Sequence, residues 1–179
     1  MDEQTSVRRF DALMSPHMHA AYNVARWLAR NDQDAQDIVQ DAYVRAFRFI
    51  DRFDGDDARA WLLSIVRNVF FTWYRQNRRR TAESLSLDDD AAAPELSDEG
   101  CLSPETLLMR AQDRRQVVKA LESLSVEHRE VVVLREIEGF SYKEIASIVG
   151  VPIGTVMSRL GRGRRQLAAI LVNMMGQEA

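Results

Sequence analysis

Four polar side chains near the C-terminus have the types and the spacing needed to contact nucleic acid. Ser158, Arg162 and Arg165 recur on one face of a helical repeat, Arg159 adjoins them, and no acidic residue follows until Glu178. Guanidinium groups pair with phosphates, and their planar fork also matches base edges in the major groove. The pattern therefore favours contact with duplex DNA. The alternative is a basic face that is merely solvated.

A helix-turn-helix would position these side chains. Ser141 and Glu144 have the spacing of a capping box at the start of a first helix. Gly150 can end that helix, and Pro152 suits the start of the next. Apolar residues recur at helical spacing in both segments and predict the buried faces. They are Ile145, Ile148 and Val149, followed by Ile153, Val156, Leu160, Leu167 and Leu171.

A second set of side chains could stack on bases. The helix predicted from residue 57 to about residue 79 buries Leu62, Ile65, Val66, Val69 and Trp73. Its outer face interleaves rings with guanidinium groups at steps of four, three and four; this aromatic–cation stripe is Arg67, Phe71, Tyr74 and Arg78. Exposed aromatic side chains stack on single-stranded bases while arginine follows the backbone. The alternative is that another helix covers these rings.

A third surface is acidic along most of its length and basic at its C-terminal end. The helix predicted from about Asp34 to Phe53 turns Ile38, Ala42, Ala46, Phe49 and Phe53 inward. Its outer stripe is Asp34, Asp37, Asp41, Arg45 and Arg48. From periodicity alone this stripe is interpreted as a solvated face of helical ion pairs.

The rest of the chain predicts an all-α protein of two small helical domains joined by an acidic flexible linker. Helical periodicity recurs almost everywhere, and no stretch alternates with the period of a strand. Residues 1–81 and 105–179 form the two domains, and the C-terminal domain contains the helix-turn-helix. Residues 82–104 carry only acidic charges among Ala, Ser, Pro and Gly, as linkers do.

Composition also excludes several classes of protein. The single cysteine, Cys101, allows no internal disulfide framework, which fits a cytoplasmic protein. The histidines are too scattered for a metal site, and we expect no metal and no cofactor. No apolar run is long enough to insert in a membrane.

Three blocks of residues carry a specific resemblance. Residues 34–46, residues 53–56 with 61–68, and residues 134–160 together resemble a bacterial RNA polymerase sigma factor of the extracytoplasmic-function (ECF) subfamily. The blocks occur in the order of that family and span most of the chain. The resemblance implies a non-enzymatic initiation factor that binds core RNA polymerase, recognises the minus-10 and minus-35 elements of promoter DNA, and assists DNA melting. It also implies an anti-sigma factor as regulator.

The resemblance assigns a role to each surface. Core polymerase would bind Asp37, Gln40, Asp41 and Arg45. The minus-10 element would bind Trp61, Arg67, Asn68, Phe71, Tyr74, Arg75 and Arg78, with Asn68 at the position where a non-template base flips out. The minus-35 duplex would bind Thr155, Ser158, Arg159, Arg162 and Arg165.

Two residues depart from the family pattern. Met157 stands where the family usually has Lys or Arg, and Gly161 stands where a larger side chain is common. Both remove possible DNA contacts.

Two other classes of function remain open from the sequence. A stand-alone operator-binding repressor or activator would use only the C-terminal domain. A helical interaction protein would sequester a partner without touching DNA. The operator-binding regulator leaves both the aromatic–cation stripe and the acidic face of residues 34–41 without a role.

Overall fold

The computed structural model describes residues 3–81 and 104–177, and within them every regular element is helical. This confirms the all-α prediction. The N-terminal lobe comprises α1 (Glu3–Met14), α2 (Met18–Ala29), α3 (Asp32–Phe49) and α4 (Ala58–Thr81). The C-terminal lobe comprises α5 (Pro104–Glu122), α6 (Val126–Val132), α7 (Tyr142–Val149) and α8 (Ile153–Gln177). Most of the predicted linker, residues 82–103, lies outside the described residues.

Short 3₁₀ and π turns adjoin the α-helices of each lobe. A 3₁₀ turn at Ser15–His17, which contains Pro16, separates α1 from α2. A second 3₁₀ turn, Ile50–Arg52, ends α3. A π turn, Val133–Ile137, extends α6 towards the helix-turn-helix.

The N-terminal lobe is held by small residues of α3 that let α2 and α4 approach closely. Ala35, Ala42 and Ala46 are fully buried, and Ile38 fills the space between them. The helix starts at Asn31, whose Oδ1 accepts a hydrogen bond of 3.0 Å from the backbone N–H of Asp34. Such a cap stabilises a helix by about 1 kcal/mol.

Two apolar residues predicted to be buried are exposed instead. The side chain of Phe49 is 45% exposed, because α3 tightens into a 3₁₀ turn there and Ile50 takes the inward position. Ile153 is 48% exposed, because it is the first residue of α8 and precedes the turn that packs on α7.

The helix-turn-helix forms as predicted. Both hydrogen bonds of the capping box are present between Ser141 and Glu144. Gly150 ends α7 in the left-handed region, at φ +72°, which favours glycine. In α8, Val156 and Leu160 are buried against α7 and α6.

The two lobes share one continuous apolar core. The cluster runs from Met14 in the N-terminal lobe to Leu160 in α8. Helix α4 packs on α7, and α2 packs on α6. The N-terminal lobe therefore contacts the C-terminal lobe directly, which the predicted flexible linker did not imply.

Two glycines of α8 allow a matched test of packing. A Cβ atom at Gly163 would lie 2.8 Å from Cγ2 of Val132, whereas one at Gly161 would meet nothing within 4 Å. We expect Gly163→Ala to lower the free energy of unfolding by about 1–3 kcal/mol, because α8 must move away from α6. Gly161→Ala should raise it by about 0.5–1 kcal/mol through helix propensity.

Urea denaturation of both variants measures the two effects on one helix. A Gly163→Ala protein as stable as the wild type would contradict the close approach of α8 to α6.

Candidate nucleic-acid interface

The aromatic–cation stripe of α4 assembles into a chain of contacts between its own members. The guanidinium of Arg67 lies 4.5 Å from the centre of the Phe71 ring. That ring meets Tyr74 edge-on at 6.4 Å, and the Arg78 guanidinium lies 5.8 Å from the Tyr74 ring. The spacing of four, three and four thus brings all four side chains together, as the sequence predicted.

The stripe is less exposed than predicted. Of its four members, Arg67, Phe71 and Tyr74 are half-buried and Arg78 is exposed. Of the other residues that we predict to bind the minus-10 element, Trp61 is half-buried, and Asn68 and Arg75 are exposed. Trp61 packs on Phe53, with ring centres 4.8 Å apart. Phe71 and Tyr74 of the stripe pack partly against the apolar core, so the alternative that other elements cover these rings holds in part.

The most buried polar contact of the stripe joins Arg67 to the C-terminal lobe. Its Nε donates a hydrogen bond of 2.5 Å to Oε1 of Glu130, a residue of α6 that is 1% exposed. Burial raises the pKa of Glu130 to about 7, although the charge and hydrogen bond of Arg67 oppose this. The other carboxylate oxygen, Oε2, is buried without a hydrogen-bond partner.

The neighbouring Arg129 is also buried at the contact between the lobes. One of its terminal nitrogens donates to the Leu28 carbonyl of α2 at 3.2 Å, and the other to the carbonyls of Glu122 and Leu124. Burial lowers the pKa of Arg129 to about 10, which leaves the guanidinium charged at neutral pH.

The predicted DNA-reading residues of α8 lie along one side of the helix. We call Thr155, Ser158, Arg159, Arg162 and Arg165 the α8 face. Ser158 donates to the Thr155 carbonyl at 3.0 Å, and Arg165 donates to the Gly161 carbonyl at 3.2 Å. Arg162 is exposed and makes no ion pair within the residues that the structure describes.

Not every arginine near the α8 face is equally available. Arg159 is half-buried, and its charge is close enough to Glu130 to act on that carboxyl. Arg164 pairs with Glu136 at 2.5 Å and so is already neutralised. Ser158, Arg162 and Arg165 therefore form the accessible part of the face, together with the exposed Met157.

The predicted acidic surface of α3 is solvent-exposed. Asp37, Gln40, Asp41 and Arg45, which we call the α3 face, are all exposed, and Arg45 pairs with Asp41 at 3.6 Å. The apolar Val44 lies in the same face and is 47% exposed, which sequence reasoning did not single out. Polar residues around an exposed apolar side chain are typical of a protein-binding surface.

Within residues 3–81 and 104–177, no helix is both long and apolar enough to cross a membrane. Nor do these residues bring together three or more side chains that could hold a metal ion.

Comparison with known proteins decides between the classes that the sequence left open. Residues 13–80 match the family Sigma-70 region 2, and residues 114–167 match Sigma-70, region 4. The ECF RNA polymerase sigma-E factor of Escherichia coli (strain K12) is 34% identical over 167 residues, which cover 89% of this chain and 85% of that protein. The chain belongs to the ECF RNA polymerase sigma factors.

Other members of the family agree in sequence and in fold. ECF RNA polymerase sigma factor SigE of Mycolicibacterium smegmatis is 33% identical over 177 residues, or 99% of this chain and 67% of the relative. Sigma factor RpoE, solved with the anti-sigma factor NepR from Bartonella quintana, has a TM-score of 0.67 and 30% identity, over 94% of this chain and 95% of that one. CnrH, solved with the cytosolic domain of CnrY, has a TM-score of 0.64 and 28% identity over 92% and 88%.

Membership sets the general activity. An ECF sigma factor is a transcription initiation factor that directs core RNA polymerase to promoter DNA, and it is not an enzyme. A regulator confined to the C-terminal domain does not account for the region 2 match.

The buried Glu130 carboxyl predicts a pH-dependent stability. Its folded-state pKa of about 7 lies above the ordinary glutamate pKa of 4.5, so folding favours the protonated acid. The stabilisation that comes from protonated Glu130 is fully present below pH 4.5 and is lost as the pH rises through about 7. By linkage, it amounts to no more than about 3.4 kcal/mol. Glu130→Gln, which is neutral at every pH, should therefore gain stability over the wild type between pH 5 and pH 8.

Urea denaturation of both proteins at pH 5 and pH 8 checks the effect, with Glu127→Gln on the exposed side of α6 as the control. A stability difference between Glu130→Gln and wild type that does not change with pH would contradict it.

Proposed function

We propose that the two lobes of this sigma factor divide the promoter between them. Residues 1–81 would bind core polymerase and the minus-10 element, residues 105–179 would read the minus-35 element, and residues 82–104 would link them. The observation that carries the proposal is that the helices bearing the two cationic surfaces, α4 and α8, lie in the parts that match region 2 and region 4.

Helix α4 has the surface that a separated DNA strand requires. Asn68, Arg75 and Arg78 are exposed beside the aromatic rings of Phe71 and Tyr74. A base that leaves the stack is recovered by aromatic stacking, at about 1–3 kcal/mol per base, and phosphates are held by arginine. Trp61 and Arg67 complete the set that we assign to the minus-10 element, and Asn68 is the residue that we assign to the flipped base.

Helix α8 has the surface that intact duplex requires. It follows the tight turn at Gly150, as a recognition helix does, and its exposed side carries Ser158, Arg162 and Arg165 with no acidic residue among them. We assign base-edge or phosphate contacts to Ser158 and Arg162, and backbone contacts to Arg159 and Arg165. Thr155, at the start of the helix, completes the set.

The α3 face is assigned to core polymerase. It lies on a helix whose opposite side is fully buried, so its geometry is rigid, and Asp37, Gln40 and Asp41 are exposed. Val44 would add apolar contact area in the centre of the surface. Acidic side chains on this face would select a basic partner surface.

The compartment and the regulator complete the proposal. The factor would act in the cytoplasm, with the polymerase and the chromosome. Because RpoE was solved with the anti-sigma factor NepR, and CnrH with the cytosolic domain of CnrY, we infer that an anti-sigma factor binds this chain as well.

Reconstitution with bacterial core polymerase tests the function as a whole. We expect the chain to co-elute with core and to direct transcription from a subset of genomic promoter fragments, which footprinting then locates. A chain that neither co-elutes with core nor supports transcription from any fragment would refute the proposal.

Reciprocal variants test the division of labour between the lobes. Arg162→Ala should weaken binding to minus-35 duplex by about 1–3 kcal/mol and leave core binding unchanged, because it removes one guanidinium from the α8 face. Asp41→Ala should weaken core binding by more than about 1 kcal/mol and leave duplex binding unchanged.

Fluorescence anisotropy with labelled duplex and with labelled core measures both affinities. Lys119→Ala and Asp113→Ala, two exposed charges of α5 outside both faces, are the matched controls. Loss of core affinity in Arg162→Ala would contradict the assignment of the lobes.

A further inference from the structure

The exposed side of α8 carries apolar side chains as well as cations. Ile153 is 48% exposed and Met157 is 55% exposed. They are four residues apart, so they lie one turn apart on the same side of the helix. Gly161 and Arg165 continue the series at further steps of four. We call these four residues the α8 row. Its first half is apolar, and it ends on a cation.

Gly161 leaves a gap in the α8 row. A Cβ atom at this position would meet nothing within 4 Å. The Nε of Arg165 donates to the Gly161 carbonyl at 3.2 Å, so the guanidinium folds back along the helix towards the gap. The gap therefore has Met157 on one side, Arg165 on the other, and the backbone of Gly161 as its floor.

Packing inside the protein does not require a glycine at this position. Gly163 must be small, because a Cβ atom there would lie 2.8 Å from Val132, but Gly161 has no such neighbour among the residues that the structure describes. A glycine inside a helix costs stability relative to alanine. Glycine is also the residue used where a backbone comes close to a ligand. We therefore attribute the missing side chain at Gly161 to a partner outside the chain.

The charges around the α8 row select the kind of partner. Ser158, Arg162 and Arg165 are exposed beside Met157, and α8 contains no acidic residue. Duplex DNA supplies phosphates for these cations. In its major groove it also presents one apolar group, the C5 methyl of thymine. An apolar side chain among cations on one helix therefore matches a thymine-containing duplex.

The place of Met157 along the helix suits a base contact. Recognition helices contact base edges mainly with their N-terminal residues. Met157 is the fifth residue of α8 and adjoins Ser158, to which we assign base-edge or phosphate contacts. Its side chain is unbranched and its thioether is polarisable, so it can adjust to the shape of a methyl group.

We propose that Met157 and Gly161 make α8 a reader of thymine, in which the C5 methyl of one thymine of the minus-35 element lies against Met157 in the gap above Gly161. This inference rests on the proposed minus-35 role of α8 and adds a base preference to it. Arg162 and Arg165 would hold the duplex, while Met157 would distinguish thymine from the bases that lack this methyl. From the sequence we expected Met157 and Gly161 only to remove contacts.

Deoxyuridine tests for a methyl contact without disturbing base pairing. Uracil pairs with adenine as thymine does and lacks only the C5 methyl. The probe is a labelled promoter fragment located by footprinting with wild-type holoenzyme, in which each thymine of the minus-35 element is replaced in turn by deoxyuridine. Holoenzyme assembled from core and the full-length chain is titrated into each fragment, and fluorescence anisotropy measures the dissociation constant.

We expect one thymine at which uracil weakens wild-type binding by about fourfold, the loss that corresponds to one buried methyl group. At that thymine, Met157→Ala should weaken binding by at least as much and should then bind thymine and uracil equally. The two changes should not add, because both remove the same contact. Met157→Leu, which keeps an apolar side chain of similar volume, should keep the preference for thymine.

Gly161→Ala tests the gap. Its methyl group would occupy the space that we assign to the thymine methyl, so binding should weaken by at least about fivefold although the free protein becomes more stable. Gly176→Ala is the matched control, because a Cβ atom there also meets nothing within 4 Å and the residue lies about four turns further along α8. Met18→Ala is the control for Met157→Ala, since Met18 of α2 is 54% exposed. Both controls should bind as wild type does.

A minus-35 element in which every thymine can be replaced by uracil without loss of affinity would overturn thymine reading. A Met157→Ala protein that keeps the full preference for thymine would overturn the role of Met157, and unchanged binding by Gly161→Ala would overturn the gap. Arg162→Ala separates this inference from the proposed function. If Arg162→Ala leaves duplex affinity unchanged, the minus-35 role of α8 is wrong. If it weakens binding while uracil has no effect, that role stands and only thymine reading fails.

Discussion

The arrangement of this sigma factor depends on α4 being buried on two sides. One row of the helix, with Leu62 and Val66 fully buried, completes the core of the N-terminal lobe. Leu63 is equally buried, and it lies between Arg59 and Arg67 on the side from which both guanidinium groups reach the C-terminal lobe. A helix packed on two sides has little surface left, so the residues that could read DNA must share it with the residues that join the lobes.

The features that the sequence predicted well are those set by neighbours along the chain. The capping box, the left-handed Gly150 and the buried row of α7 each depend on residues within about one or two helical turns. The mutual contacts of the aromatic–cation stripe follow from steps of three and four residues on one helix. Such features follow from helix geometry alone, whichever way the lobes pack.

The features that the sequence did not predict are set by residues far apart in the chain. Arg67 and Glu130 are 63 residues apart, and no periodicity relates them. The available signal was a carboxylate directly before the apolar run from Val131 to Leu134, on the side that helix geometry turns inward. Similarly, only the packing of α8 against Val132 distinguishes Gly163, which must be small, from Gly161, which need not be.

The contact between the lobes combines buried ion pairs with apolar packing. An interface made only of apolar side chains would be as stable or more stable, because a buried ion pair returns little beyond its desolvation cost. It would also expose apolar surface to water whenever the lobes separated. Water would instead solvate the charged residues of the contact well if the lobes were apart; these residues are Arg59, Arg67, Glu130 and Glu138. Separated lobes would therefore have a lower free energy with these charges than with apolar side chains in their place. Of these four residues, Arg67 is the one with a further role, since we assign it to the minus-10 element. In this structure its guanidinium is instead bound by Glu130 and lies over the Phe71 ring.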